Sequence, residues 1–189
     1  MFSYAVFDHK MVRHWQLWQP ACTAYQPTVV PSVELLAAAL IRNGFSEQDW
    51  FDQALQAFKP QNCNHPPSSQ SLSKNLQIGD LTVNTGSQGI SQRVMYSMPW
   101  LVANKPPHLP YSLDDKAGEM ILTIFSAQEF AKYPLKINLE ALTGSIVVIG
   151  GSHRDGHDVH FTPLGEMPGA LILINAIHTL LQYGEIKPL

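Results

Sequence analysis

The run from Ser145 to Leu181, SIVVIGGSHRDGHDVHFTPLGEMPGALILINAIHTLL, constrains the fold more than any other part of the chain. It strings together a β-branched segment, two glycines, a polar stretch and an apolar helical pattern. Ile146 to Ile149 show no polar alternation, which predicts a strand covered on both faces, as in a parallel sheet. Gly150 and Gly151 then permit a tight turn. Beyond Pro168 and Gly169, Leu171, Ile174, Ile177, His178 and Leu181 recur near helical spacing, with Pro168 where a first turn tolerates it. Asn175, His178 and Thr179 interrupt the apolar run, which falls short of the roughly 20 residues needed to cross a bilayer. The expected unit is a buried strand, a loop and a core helix.

Upstream, Phe2 to Phe7 and Val12 to Trp18 both alternate, and are predicted to pair as a hairpin across Asp8 to Lys10. After Pro31 the clearest helix of the chain begins, with Ser32 as N-cap, Glu34 in its first turn and Gly44 as its stop. A second helix is expected where Ser46 and Asp49 resemble a capping box and Trp50, Phe51, Ala54, Leu55 and Phe58 share one face. Residues 59–75, rich in Pro, Ser, Asn and Gln, are expected to form a flexible loop. Short strands are predicted at Leu81 to Val83 and Arg93 to Tyr96, then a proline-bearing loop over Lys105 to Gly118. Met120 to Phe125 predicts another buried strand, followed by a helix with Ser126 and Glu129 in capping positions. The predicted fold class is α/β. A mixed sheet has parallel strands in its C-terminal half, 120–125 and 146–149 being neighbours through a right-handed crossover, with flanking helices and N-terminal hairpin-like strands. With 189 residues the chain is expected to form one domain.

Charge excludes one class of partner. Twelve Lys and Arg against fifteen Asp and Glu leave a net charge of -3, and the cations are scattered, so nucleic acid is not an expected ligand. The start, MFSYAVFDHK, lacks the basic and apolar regions of a signal peptide, and the chain is expected to be soluble. Cys22 and Cys63 form no CxxC motif. They are open to two readings, a disulfide in an oxidising compartment or two separate small residues.

The densest polar cluster is SHRDGHDVH, where His153, Asp155, His157, Asp158 and His160 follow the expected strand. Imidazoles and carboxylates of this kind can hold a divalent metal ion, yet the spacing fits no HExxH or EF-hand pattern, and a solvated polar turn is the default reading. Gly150 and Gly151 lack the further glycines and lysine of a phosphate-binding loop, and Arg154 is the loop's only fixed cation. Neither Ser145 nor Ser152 sits in a nucleophile motif, so no catalytic residue is assigned. Trp15, Trp18, Trp50 and Trp100 are open to a core role or to an aromatic ligand pocket, and His178 is expected as a core histidine with one hydrogen-bond partner.

The order of the strand IVVIG, then Asp158, then Thr162, Pro163, Leu164 and Gly165, then Pro168 and Gly169, then Asn175, Ala176 and Ile177, resembles the closing motif of the type-two CHASE domain. That family is an extracytoplasmic sensory module attached to bacterial histidine kinases, nucleotide cyclases and serine/threonine kinases. The resemblance is specific over Phe125 to Leu181 and loose before it. Two departures stand out: Leu173 replaces a histidine usual in the family, and nothing before FSYAVF supplies the family's opening strand and helix. A truncated or diverged domain is therefore expected, with membrane helices beyond Leu189. The resemblance implies a non-enzymatic signal-input domain on the periplasmic or outer face of the membrane. Its partners would be a small-molecule or environmental signal, the membrane helices and an effector domain. It further implies that Asp158 to Gly169 form a structural turn, Asp158 capping backbone donors while Pro163 and Pro168 stiffen the loop, and that the last helix transmits motion. The rival expectation is a metal-binding protein or metal-dependent hydrolase using His153, Asp155, His157 and His160. A third is a homodimer formed through exposed tryptophans and the last helix.

Overall fold

The computed structural model describes residues 5–24, 26–44, 49–56, 58–60, 62–63, 75–85, 91–100, 109–110, 120–122, 124, 127–132, 143–151 and 158–186. Strand β1 (Ala5–Asp8) and strand β2 (Met11–Gln16) pair as the expected antiparallel hairpin. His9 and Lys10 in its turn hold φ of 50° and 68°. Leu17 breaks the run that the alternation extended to Trp18, and strand β3 (Trp18–Thr23) turns back on strand β4 (Gln26–Pro31). That second hairpin is absent from the sequence expectations because three prolines, Pro20, Pro27 and Pro31, lie in it. Each strand of a two-stranded ribbon is an edge, where a missing N–H costs no ladder bond on the open side.

Helix α1 (Val33–Asn43) begins as the sequence predicts: Ser32 is extended (φ -70°, ψ 155°) and its hydroxyl accepts from Leu35 N–H at 3.2 Å. Gly44 closes it with φ of 79°, a left-handed conformation that suits glycine. Helix α2 (Asp49–Gln56) follows, while its expected cap Ser46 lies outside the described residues. Strands β5 (Asn75–Ile78) and β6 (Leu81–Asn84) form a hairpin. β5 thus starts at the end of the expected 59–75 loop. Strand β7 (Ser91–Arg93) adds to β2, giving the three-stranded order β1-β2-β7.

The C-terminal half departs from the expected parallel α/β unit. Strand β8 (Leu109–Pro110) pairs antiparallel with strand β9 (Met120–Leu122), and helix α3 (Ala127–Lys132) follows. Ser126 lies outside the described residues. Among the described residues every strand pair is antiparallel, and residues 146–149 belong to no strand. Val147 and Ile149 are 63% and 93% exposed, while Ile146 and Val148 are half-buried. A β-branched run favours extended backbone, but a ladder also needs a partner strand; here the segment lies along a helix and only one side is covered.

The polar stretch after Asp158 is a hairpin instead of a loop: strand β10 (Val159–Thr162) pairs with strand β11 (Gly165–Pro168), and helix α4 (Gly169–Tyr183) starts at once. α4 packs on α1, and β10 lies against β2. Two apolar clusters result. The larger joins Trp15, Leu17, Trp18, Leu35, Ile78, Leu81, Val83 and Leu180, and the smaller joins Val12, Met98, Leu122, Met167 and Leu171. Fully burying one such aliphatic side chain contributes about 1.5–3 kcal/mol. Trp18 and Phe58 add a tilted ring contact at 4.4 Å between centroids. Cys22 and Cys63 are joined in a disulfide with a Cα–Cα distance of 5.8 Å, which ties β3 to the segment after α2.

Candidate functional site

The N-terminal end of α4 faces a cavity of about 390 Å³. Its walls come from β1 and β2 (Ala5, Val12, Trp15), the first turn of α1 (Glu34), residues 148–150, the start of β10 (Asp158, His160) and one face of α4 from Gly169 to Ala176. In β2, whose register with β1 shifts between Val12 and His14, Val12 and Trp15 are both buried, 1% and 2% exposed. Glu34 lies one position into α1 and is 2% exposed. The rim is open: Ile149 is almost wholly exposed, and the Asp158 and His160 side chains retain 45% and 34% of their accessible surface. The lining is polar at two buried points, Glu34 and the Trp15 indole. Among the described residues no acceptor meets Trp15 Nε1–H.

Two small residues let the cavity walls close in. A Cβ on Gly169 would collide with the Asp158 carboxylate, and one on Gly150 would collide with the Cβ of Ala170. Asp158 therefore sits against the first residue of α4. Its backbone carbonyl, not its carboxylate, accepts from Gly169 N–H at 2.8 Å, and its Oδ1 lies 3.5 Å from His160 Nε2. Pro168 occupies the N-cap of α4 in an extended conformation and offers no side-chain cap. The first-turn amides of this helix thus lack the hydroxyl that Ser32 provides to α1.

The polar residues that interrupt α4 hold a neighbouring segment. Asn175 is fully buried; its Oδ1 accepts from Ser97 and Met98 N–H at 3.0 Å each, and its Nδ2 donates to Met98 and Leu171 carbonyls at 3.0 and 2.9 Å. Thr179 Oγ1 accepts from Met95 N–H at 3.0 Å and donates to the Asn175 carbonyl at 2.7 Å. His178 Nδ1 meets Ser97 Oγ at 2.9 Å, and burial lowers its pKa below 6.5. Together they satisfy the backbone of 95–98, which has no strand partner of its own after β7. Tyr96 donates its hydroxyl to Val12 O at 2.8 Å, and desolvation raises its pKa.

The remaining sequence-selected residues separate into two groups. Thr162, Pro163 and Gly165 form the β10–β11 turn: Thr162 Oγ1 donates to Gly165 O at 2.8 Å and accepts from Leu164 N–H at 3.2 Å, while Gly165 holds φ of 102°. His153, Asp155 and His157 lie outside the described residues. His160 is described and has Asp158 beside it, and the described residues contain no group of three metal-capable side chains. Trp15 and Trp18 are core residues, Trp100 packs partly buried on the smaller cluster, and the Trp50 side chain lies outside the described set. Sequence reasoning did not single out Glu34 as part of a site. A glutamate in a first helical turn is an ordinary dipole partner, and only the fold shows it at a cavity floor.

A family model described as the CHASE2 domain matches residues 7–188. The chain belongs to the CHASE2 domain family, whose members are extracytoplasmic sensory domains. The match reaches well before Phe125, into the half where the motif resemblance is loose. No curated protein and no solved structure matches the chain.

Proposed function

We propose that the chain acts as a single signal-input domain on the periplasmic or outer face of a bacterial membrane signalling protein. It performs no catalysis itself, its signal is a small molecule entering the cavity at the start of α4, and an effector domain across the membrane receives the output. Membership of the CHASE2 family over residues 7–188 carries this reading. The Cys22–Cys63 disulfide supports it, because such bonds persist in oxidising compartments. The described residues contain no helix long and apolar enough to cross a membrane. α4 has its N-terminus at the cavity and its C-terminal turn against β6, so a shift at the cavity would move a rigid 15-residue rod.

Sidedness is tested with Leu164→Cys at the exposed hairpin tip, expressed in intact cells within its native flanking sequence. Labelling by a membrane-impermeant maleimide without lysis is expected, and labelling only after lysis overturns the reading. The transmission role is tested with Asp158→Ala, which removes the carboxylate packed on Gly169. An altered effector output from folded protein is expected; unchanged fold and unchanged output together overturn the role.

A further inference from the structure

We infer that the Cys22–Cys63 bond is a thiol-exchange site, opened in the folded chain by a dithiol reductant, through which the domain reads the thiol redox state of its surroundings. This second input rests on the sensor reading and is separate from the α4 cavity. Both cysteines are exposed, and exposed disulfides are the ones that thiols cleave and that serve regulation.

The bond joins two segments whose anchors lie elsewhere. At the base of the β3–β4 ribbon, Trp18 is buried, Val29 packs on the larger cluster and Ser32 N–H donates to Leu17 O. At the tip, Cys22, Thr23, Ala24 and Gln26 are all exposed, and among the described residues no hydrogen bond ties them to anything outside the ribbon. Ala24 holds φ of 48°, a left-handed value that glycine or asparagine adopts more readily. On the other side of the bond Phe58 and Pro60 are buried, while Asn62 and Cys63 stand at the surface. The core is therefore closed beneath the bond on both sides. Cutting the bond frees the ribbon tip and leaves its base in place. A two-stranded ribbon is marginal by itself, so the tip loosens once untethered. β4 runs directly into Ser32 and α1, and α1 packs on α4, so the change passes to the helix pair.

The step is an exchange. A thiolate of the reductant attacks one of the two sulfurs, forming a mixed disulfide and releasing the other cysteine as a thiolate that takes a proton. The reductant's second thiolate then displaces the first cysteine, which is protonated in turn, and closes the reductant's own disulfide. Two electrons and two protons pass to the chain, and an oxidised disulfide partner runs the same steps backward.

The test uses dithiothreitol on the whole chain, with alkylation and mass measurement to count thiols. Reduction of the folded chain is expected within about tenfold of the rate for chain unfolded in urea, because both sulfurs are reachable. A bond reached only through global unfolding would be cut at least about 10³-fold more slowly, the scale of folding equilibrium constants, and a rate of that kind overturns the inference. Faster hydrogen exchange after reduction is expected in β3 and β4; uniform acceleration across the chain overturns it as well. In the full-length protein in membranes, dithiothreitol is expected to change effector output, with loss of that response when Cys22→Ser and Cys63→Ser are combined. An output that dithiothreitol leaves unchanged, or changes equally in the double variant, overturns the redox input and leaves the sensor reading standing. Should the double variant fail to fold, the rate and hydrogen-exchange measurements on the native chain still decide. Labelling of Leu164→Cys only after lysis overturns the sensor reading while the exchange rates stand.

Discussion

Helices α1 and α4 pack on one another, yet their ends are finished differently. At the start of α1, the Ser32 hydroxyl accepts from Leu35 N–H, its carbonyl accepts from Leu36 N–H, and its own N–H donates to Leu17 O. At the far end, Asn43 donates to Ala39 and Ile78 carbonyls and accepts from Asp80 N–H, which docks the helix on the β5–β6 turn. α4 is secured along its length by Asn175, His178 and Thr179, and at its C-terminal end by Arg42, which donates to Leu181 O, and Asn84 N–H, which donates to Gly184 O. Its N-terminus has proline for a cap and opens on the cavity. α1 is a structural strut closed at both ends. α4 is equally well fastened along its length, while at its first residue the Asp158 carbonyl accepts from Gly169 N–H and no side chain caps the helix.

The largest expected effect falls on the fastening of α4. Asn175→Ala leaves the buried Met98 N–H and carbonyl unpaired and turns the more exposed Ser97 N–H over to water, a loss of about 2–6 kcal/mol at about 1–3 kcal/mol for each of the two buried groups. Urea denaturation measures it, and a loss below about 1 kcal/mol would show that 95–98 finds other partners. Next comes the covalent staple on the α1 side. Reducing Cys22–Cys63 reopens a loop with a sequence separation of 41, worth about 3–4 kcal/mol in the chain-entropy picture. Hydrogen exchange should then speed up in β3 and β4 while the amides of Ser97 and Met98 stay protected; uniform loosening would erase the contrast between the two regions.

What the sequence made legible follows from the range of the forces involved. α1 was readable because Ser32, Glu34, the apolar spacing and Gly44 are local signals that no tertiary contact overrides. The β1–β2 hairpin was readable for the same reason. Residues 146–149 misled because a β-branched run reports backbone preference and not the presence of a partner strand. The β10–β11 hairpin was hidden by its turn, where Thr162, Pro163 and Gly165 look like loop composition until they are paired. The family motif runs from Asp158 to Asn175, but the cavity beside it also draws on Trp15 and Glu34, which are more than 120 residues away along the chain and carry no sign of their meeting.

Smaller effects probe the helix ends directly. Ser32→Ala removes a cap from the closed helix and should cost about 1–2 kcal/mol, read from the shift in urea midpoint. Pro168→Ser does the reverse, giving α4 a hydroxyl at its N-cap, and should add about 0.5–1 kcal/mol of stability. An unchanged urea midpoint in Pro168→Ser would show that this terminus gains nothing from a side-chain cap.

The smallest effect is a titration along the fastened face of α4. Burial lowers the His178 pKa below 6.5, so the folded chain prefers the neutral ring that pairs with Ser97. Above 6.5 the ring is neutral in both folded and unfolded chains and nothing is lost. As pH falls through 6.5 the unfolded chain takes up a proton that the folded chain resists, so stability declines until the folded pKa is passed. His14 acts in the same direction, through desolvation first and then the nearby Arg93 and Arg13, against an opposing pull from Asp8. His178→Gln keeps a polar partner for Ser97 without the titration, and should flatten part of the decline between about pH 6.5 and pH 5, above the ordinary carboxylate range. Among the described residues the part that remains is expected from His14 on β2, and His14→Gln in the same background should remove it. An unchanged slope in the double variant would place the acid sensitivity away from both histidines.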